Sequence, residues 1–262
     1  MVLEVLFLFL LIAGIAIISY RGAVHEFQIL QKTYDDEGAN LSELLTEMLP
    51  IVVRNVPKRW LGSWTANRIG MKPYEIQVRD ANSNKYKIPW NLWLQDPKGT
   101  RPVSLEPVAA SLRLDTASSA MSDDGFSRWF MLPHSTPVPQ LLHSKDVLPL
   151  TKTVPEFTVI TVTDGAPVEV WLAHEGAIPS DELFGENPWE ITSDQISWIS
   201  DVKYVEIRLR PNNTLAIPRH WSYAVRNVED AASWFHITAF HTPISKVVSV
   251  LKGGSSSQEK RY

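Results

Sequence analysis

Hydrophobic and polar positions follow three different patterns along this chain. From Val5 to Tyr20 there are 16 consecutive residues without a charge, which as a helix would span roughly 24 Å. With Leu3 before them and Arg21 able to reach towards the interface, the segment approaches the hydrocarbon thickness of about 30 Å. The pattern predicts one transmembrane helix over 1–21, with residues 3–20 in the lipid bilayer, then a polar juxtamembrane connector over 22–39. Next, Asn40 is placed to cap a short helix with Glu43 at the capping-box position, and Leu41, Leu44, Leu45 and Met48 form its apolar face up to Pro50. Ile51 to Val53 reads as a strand, and Lys58 to Trp64 as a tryptophan-bearing segment packed in the core. Tyr74 to Arg79 alternates with period two, and Lys85 to Leu94 reads as a strand and its turn, with Trp90 and Trp93 beside Pro89.

The C-terminal half alternates more regularly. Glu156 to Thr163 is rich in β-branched residues, Asp164-Gly165 is a turn signal, and Val168 to Leu172 resumes the alternation; together they predict a hairpin. Val202 to Arg210 puts Val205, Ile207 and Leu209 on one face and Glu206, Arg208 and Arg210 on the other. Pro211 to Asn213 is turn chemistry, Leu215 to Val225 reads as the answering strand, and Ala232 to Val250 supplies one or two more. Short strands at about ten-residue spacing predict a sandwich or barrel. The fold class is therefore mostly β (α+β), one domain over 40–252, followed by a polar tail over 253–262 that reads as disordered.

Composition narrows the function. With 44% hydrophobic residues and ten tryptophans in 262 residues, the chain has the apolar surface to build a sizeable core. A formal net charge of −4 and the lack of a basic run argue against nucleic acid as a partner. With no cysteine there is no disulfide, no thiolate metal site and no cysteine nucleophile. Glu4 offsets the basic amino terminus that a cleavable signal would want, and no small-x-small cleavage site comes before Tyr20, so the first segment reads as a signal-anchor. Arg21 and Lys32 weigh towards a cytoplasmic domain. The sequons at Asn40 and Asn212 would matter only if the domain faced a lumen.

Several landmarks occur in an order that resembles the JmjC-like cupin domains, the double-stranded β-helix barrel of the iron/2-oxoglutarate oxygenases. They are Leu49-Pro-Ile-Val-Val-Arg54 followed by Trp60, Trp129-Phe-Met-Leu132 with the proline-rich stretch from Pro137 to Pro149, the turn at Gly165, and Val205 to Arg210 leading to Ile217-Pro218-Arg-His-Trp221. The resemblance covers about residues 45–250 and implies a cupin-like barrel with flanking helices. It also implies an Fe(II) site of two histidines and one carboxylate, which leaves coordination positions open for 2-oxoglutarate and oxygen. Counted back from Gly165 without gaps, the first two ligand positions fall on Lys152 and Val154. Counted forward from Ile217-Pro218, the distal histidine position falls on Tyr223. The co-substrate lysine position falls on Pro167, which has neither charge nor donor. Between Val147 and Thr163 the only carboxylate is Glu156 and there is no histidine. The expected metal site is degenerate, and the expected cofactor is none.

The other histidines offer a second arrangement. His174 and Glu175, with His220 or His236, would make a relocated metal site. His236 and His241 differ in strand parity and cannot share a metal in a regular strand, and His134 and His143 flank a proline-rich loop. Arg208 and Arg210 with Trp171 and Trp221 are candidates for a ligand pocket at the barrel mouth, against a plainer role for the arginines in cross-strand ion pairs. Neither a nucleophile elbow nor a phosphate-binding glycine loop is present. The leading expectation is a membrane-anchored, catalytically degenerate cupin-like binding or structural module with an unknown protein or small-molecule partner. The alternatives are an active iron/2-oxoglutarate oxygenase with a relocated triad, and a secreted β-sandwich released by signal cleavage.

Overall fold

A computed structural model describes residues 28–34, 41–62, 75–80, 84–95, 100–102, 109–110, 112–126, 135, 137–243 and 245–246. The anchor expected over 1–21 and the tail over 253–262 lie outside these residues. Among the described residues no helix is long and apolar enough to cross a membrane.

Eight strands build the body: β6 (Val138–Leu142), β7 (Val147–Lys152), β8 (Phe157–Gly165), β9 (Val168–His174), β10 (Val205–Leu209), β11 (Asn213–Pro218), β12 (Trp221–Asn227) and β13 (Ser233–Phe240). They pair antiparallel in nested order, β6 with β13, β7 with β12, β8 with β11 and β9 with β10. This is one long hairpin wrapped upon itself, a jelly roll. The wrapping divides it into a larger sheet, which contains β11-β8-β13-β6, and a smaller sheet ordered β10-β9-β12-β7. Two earlier strands extend the larger sheet: β2 (Ile51–Arg54) pairs with β11, and β1 (Leu30–Thr33) pairs parallel with β2. Residues 30–33, expected as part of a polar connector, are thus an edge strand of the domain. A third sheet, β4-β3-β5, is made from Glu75–Asp80 (β3), Lys85–Pro89 (β4) and Thr100–Pro102 (β5).

Period-two alternation sorts side chains between two faces, and that sorting builds the layers. Ile160 and Val162 of β8, Val170 and Leu172 of β9, Leu215 and Ile217 of β11, Tyr223 and Val225 of β12, and Phe235 and Ile237 of β13 meet between the sheets. Phe157, Val159, Ala216 and Phe240 face the other way, where Leu41, Leu45, Trp60, Met121 and Phe126 cover them. The helix Leu114–Met121 contributes to this cover because it buries Leu114, Ala117, Ser118 and Met121, one stripe at helical spacing. The outer face of the smaller sheet is covered by the long connection from β9 to β10, whose Ile178, Leu183 and Val202 pack on Leu150, Trp171, Ala173 and Ala224.

Two expected elements are corrected. The Gly165 turn does not close a hairpin, since β8 and β9 belong to different sheets. Gly165 has φ 83° and a Cβ there would lie 2.0 Å from the Ala232 carbonyl oxygen, so the turn is pressed against the neighbouring connection as the chain crosses between sheets. Leu215 to Val225 is not one strand: Pro218, Arg219 and His220 (φ 69°) carry the chain from β11 in one sheet to β12 in the other. Lys58–Trp60 is a 3-10 turn that buries Trp60 in the core, as expected, and β13 is one of the one or two strands expected over Ala232 to Val250.

Candidate functional site

In an oxygenase of this architecture the chemistry would sit inside the barrel, so the inward-facing side chains decide what the barrel can do. Tyr223 does face inward, at 1% exposure, packed among Leu172, Val170, Ile217 and Phe235. Lys152 does not. Between Tyr223–Thr151 and Val225–Leu148 the β7–β12 register slips by one residue, so Pro149 and Leu150 together oppose Ala224. Such a bulge inverts the parity of everything after it. Lys152 therefore pairs with Ser222 on the outer face, donates to Asp181 Oδ1 at 2.6 Å and lies 4.3 Å from the Phe184 ring centroid. Gap-free counting from Gly165 placed Lys152 at a metal-ligand position; in the structure it lies on the outer face. Val154 lies half-buried between β7 and β8, and Pro167 half-buried between β8 and β9.

The interior does not fit Fe(II) and 2-oxoglutarate. Its buried apolar cluster consists of Val, Leu, Ile, Phe, one Trp and Tyr223, and the buried carboxylate of Glu156 lies at one end, 3.5 Å from Arg219. A ferrous site needs several anionic or imidazole donors at once, and a 2-oxoglutarate carboxylate needs a cationic partner.

The relocated arrangement comes together in part. His174, the last residue of β9, pairs in register with Trp221 and stands edge-on to its ring at 5.7 Å. Its Nδ1 accepts from the Gly176 backbone N–H at 3.0 Å. Glu175 donates its backbone N–H to the His220 carbonyl at 2.7 Å, and its carboxylate lies 3.8 Å from His220 Nδ1. His236 is remote, on the outer face of the larger sheet. Among the described residues no three His, Asp or Glu side chains are grouped to hold a metal ion.

The expected ligand pocket is also divided. Trp221 faces the interior, whereas Trp171 packs on the outer face and stacks on Tyr204 with centroids 5.2 Å apart. Arg208 and Arg210 lie on the exposed face of β10. Arg208 pairs with Glu229, and its cross-strand neighbour Glu169 is held by Arg226 at 2.7 Å instead. Arg208 is thus ion-paired, but with a loop carboxylate and not across the strand pair.

Two polar features were not anticipated. At the open end of the barrel, Arg219 lies 3.5 Å from the buried carboxylate of Glu156 and donates its backbone N–H to the Glu156 carbonyl. Thr153 Oγ1 there donates to the Pro218 and Trp221 carbonyls, fixing the crossing turn. On the outer face of the larger sheet, His236 lies 3.1 Å from the Trp60 carbonyl through Nε2 and 3.3 Å from Thr238 Oγ1 through Nδ1. A carbonyl only accepts, so Nε2 carries the proton and Nδ1 accepts from Thr238. Complete burial lowers the His236 pKa to about 4, against the opposing effect of the Trp60 carbonyl. Trp60 Nε1 in turn donates to Asp124, which also holds Arg59 through two hydrogen bonds. No sequence signal marks this network, because Ser118, Asp124 and Trp60 meet His236 and Thr238 only through packing of the cover on the sheet.

The nested strand pairing, with a smaller sheet of β10-β9-β12-β7, decides the architecture. The fold is a cupin-like jelly roll. No family model matches the chain, and no curated protein matches it. Among solved structures, the cupin domain of Schizosaccharomyces pombe Cnp3 aligns at 10% identity and a TM-score of 0.29, covering 49% of this chain and 63% of that one. Drosophila melanogaster CENP-C bound to CAL1 aligns at 13% identity and 0.27, covering 40% and 60%. The Drosophila melanogaster CENP-C cupin domain aligns at 12% and 0.27, covering 38% and 54%. The matched part thus spans less than two thirds of each of those chains.

Proposed function

We propose that this chain is a membrane-tethered cupin domain that carries out no oxygenase chemistry and acts as a binding or structural module. The observation that carries this reading is the chemistry of the barrel interior, where Tyr223 is buried among aliphatic and aromatic side chains and Lys152 is turned to the outer face. The order of landmarks from Leu49 to Trp221 supports placing it beside the oxygenase cupins, as a relative whose metal site has been replaced by packed core. The apolar run over 5–20 supports the tether, which confines the domain to a membrane surface and raises its effective concentration for partners there.

Anaerobic titration of the full chain with Fe(II) and 2-oxoglutarate tests the first half. The expected result is no saturable binding of either; stoichiometric micromolar binding of both would overturn the reading. Alkaline carbonate extraction of expressing membranes tests the second half, the chain being expected to stay with the pellet.

A further inference from the structure

We propose that the end of the barrel carrying Lys152, Arg219 and Trp221 faces the headgroup layer of the bilayer, while the turn end carrying Gly165 and Asn212 projects away from it. This rests on the tether reading above and adds an orientation to it.

Strand register carries the argument. Leu30, near the first described residue, is level with Ile51; Ile51 is level with Ala216, and Ala216 with Val159. The chain therefore enters the domain at the end where β8 begins and β11 finishes. β13 finishes there too, because Phe240 is level with Phe157. At the opposite end Asn212 donates its N–H to the Val162 carbonyl, and Ser233 is level with Gly165. Gln28 is seven residues beyond Arg21 in sequence, a reach of at most about 25 Å even when fully extended. β8, with nine residues, runs roughly 30 Å from one end of the barrel to the other. The tether is thus no longer than the body it holds, and it draws in the end to which it is attached. Lys152 and Arg219 are each in an ion pair there, with Asp181 and Glu156, so attachment geometry rather than charge sets the orientation.

The absence of cysteine allows one label at a time. Lys152 is level with Ser222 and hence with Ala173, while Arg210 is one step beyond Leu209, which is level with Val168. Labels at these two positions are about 20 Å apart along the strands. Full-length Lys152→Cys and Arg210→Cys chains, each carrying a donor dye, would be reconstituted into vesicles containing an acceptor-labelled headgroup lipid. Energy transfer from position 152 is expected to be several-fold stronger than from position 210. Equal transfer, or stronger transfer from 210, overturns the proposal. Because Lys152→Cys removes the pair with Asp181, a Gly176→Cys chain, labelled at an exposed position on the same end, must give the same order. Flotation of the vesicles separates the two failures: a chain that does not float removes the tether and this proposal together, whereas one that floats with the wrong order removes the orientation alone.

Discussion

The two faces of the larger sheet differ in what they bury. Its inner face meets the smaller sheet across a cluster of buried apolar side chains that includes Tyr223. Its outer face buries apolar groups as well, but His236, Thr238 and Ser118 form a polar chain there, and Trp60 links it to Asp124 and Arg59. In an oxygenase cupin the titratable groups would be inside the barrel. Here the inside is the dry core, and the buried imidazole sits outside it, holding the N-terminal cover to the sheet.

If the inner face is a close-packed core, truncating it will be the most costly change. Phe235→Ala removes a fully buried ring from the cluster and is expected to lower stability by about 3–5 kcal/mol in chemical denaturation. A loss near zero would mean that the interior is a cavity able to collapse or take in a ligand, and would reopen the case for an internal site.

The outer face should respond to pH where the inner face does not. His236 has a folded pKa of about 4 against its usual 6.5, so between those values the unfolded chain binds a proton that the native one does not. Stability from this group is therefore complete above pH 6.5, declines as pH falls towards 4, and is flat below. The full loss is on the order of 3 kcal/mol. Denaturation midpoints measured across this window should lose most of that slope in His236→Gln, while Phe235→Ala should shift the whole curve without changing it. An unchanged slope in His236→Gln would show that other groups dominate the acid response.

The smallest effect is expected at the exposed rim of β10. Arg208→Ala breaks a half-exposed pair with Glu229 and should change stability by less than about 1 kcal/mol. A larger loss would mean that the β10 surface contributes more to the fold than its exposure suggests.

Much of the local structure was legible. The alternation in Val205 to Arg210 gave β10 its inner and outer faces, and the stripe Leu41, Leu44, Leu45 and Met48 marked the apolar side of the turn that covers the sheet. What was misread concerns partners. Asp164-Gly165 signals a turn, but whether the two flanking strands then pair or part depends on other strands, and here β8 pairs with β11 and β13. The outward turn of Lys152 has a related origin: one extra residue at Pro149–Leu150 shifts the register of β7 against β12, and the local sign of it is Pro149 itself, a residue that strands admit at edges and bulges.

By itself the sequence determined many of the strand segments, and that the chain has neither a basic run nor a cysteine. These are properties of side-chain type and of a period spanning a few neighbours. Only the tertiary structure decided which strands pair, which face Lys152 and Trp171 adopt, and that His236 is sealed beneath Trp60. Each of those outcomes depends on contacts between residues distant in the chain, whose energies no short window of sequence contains.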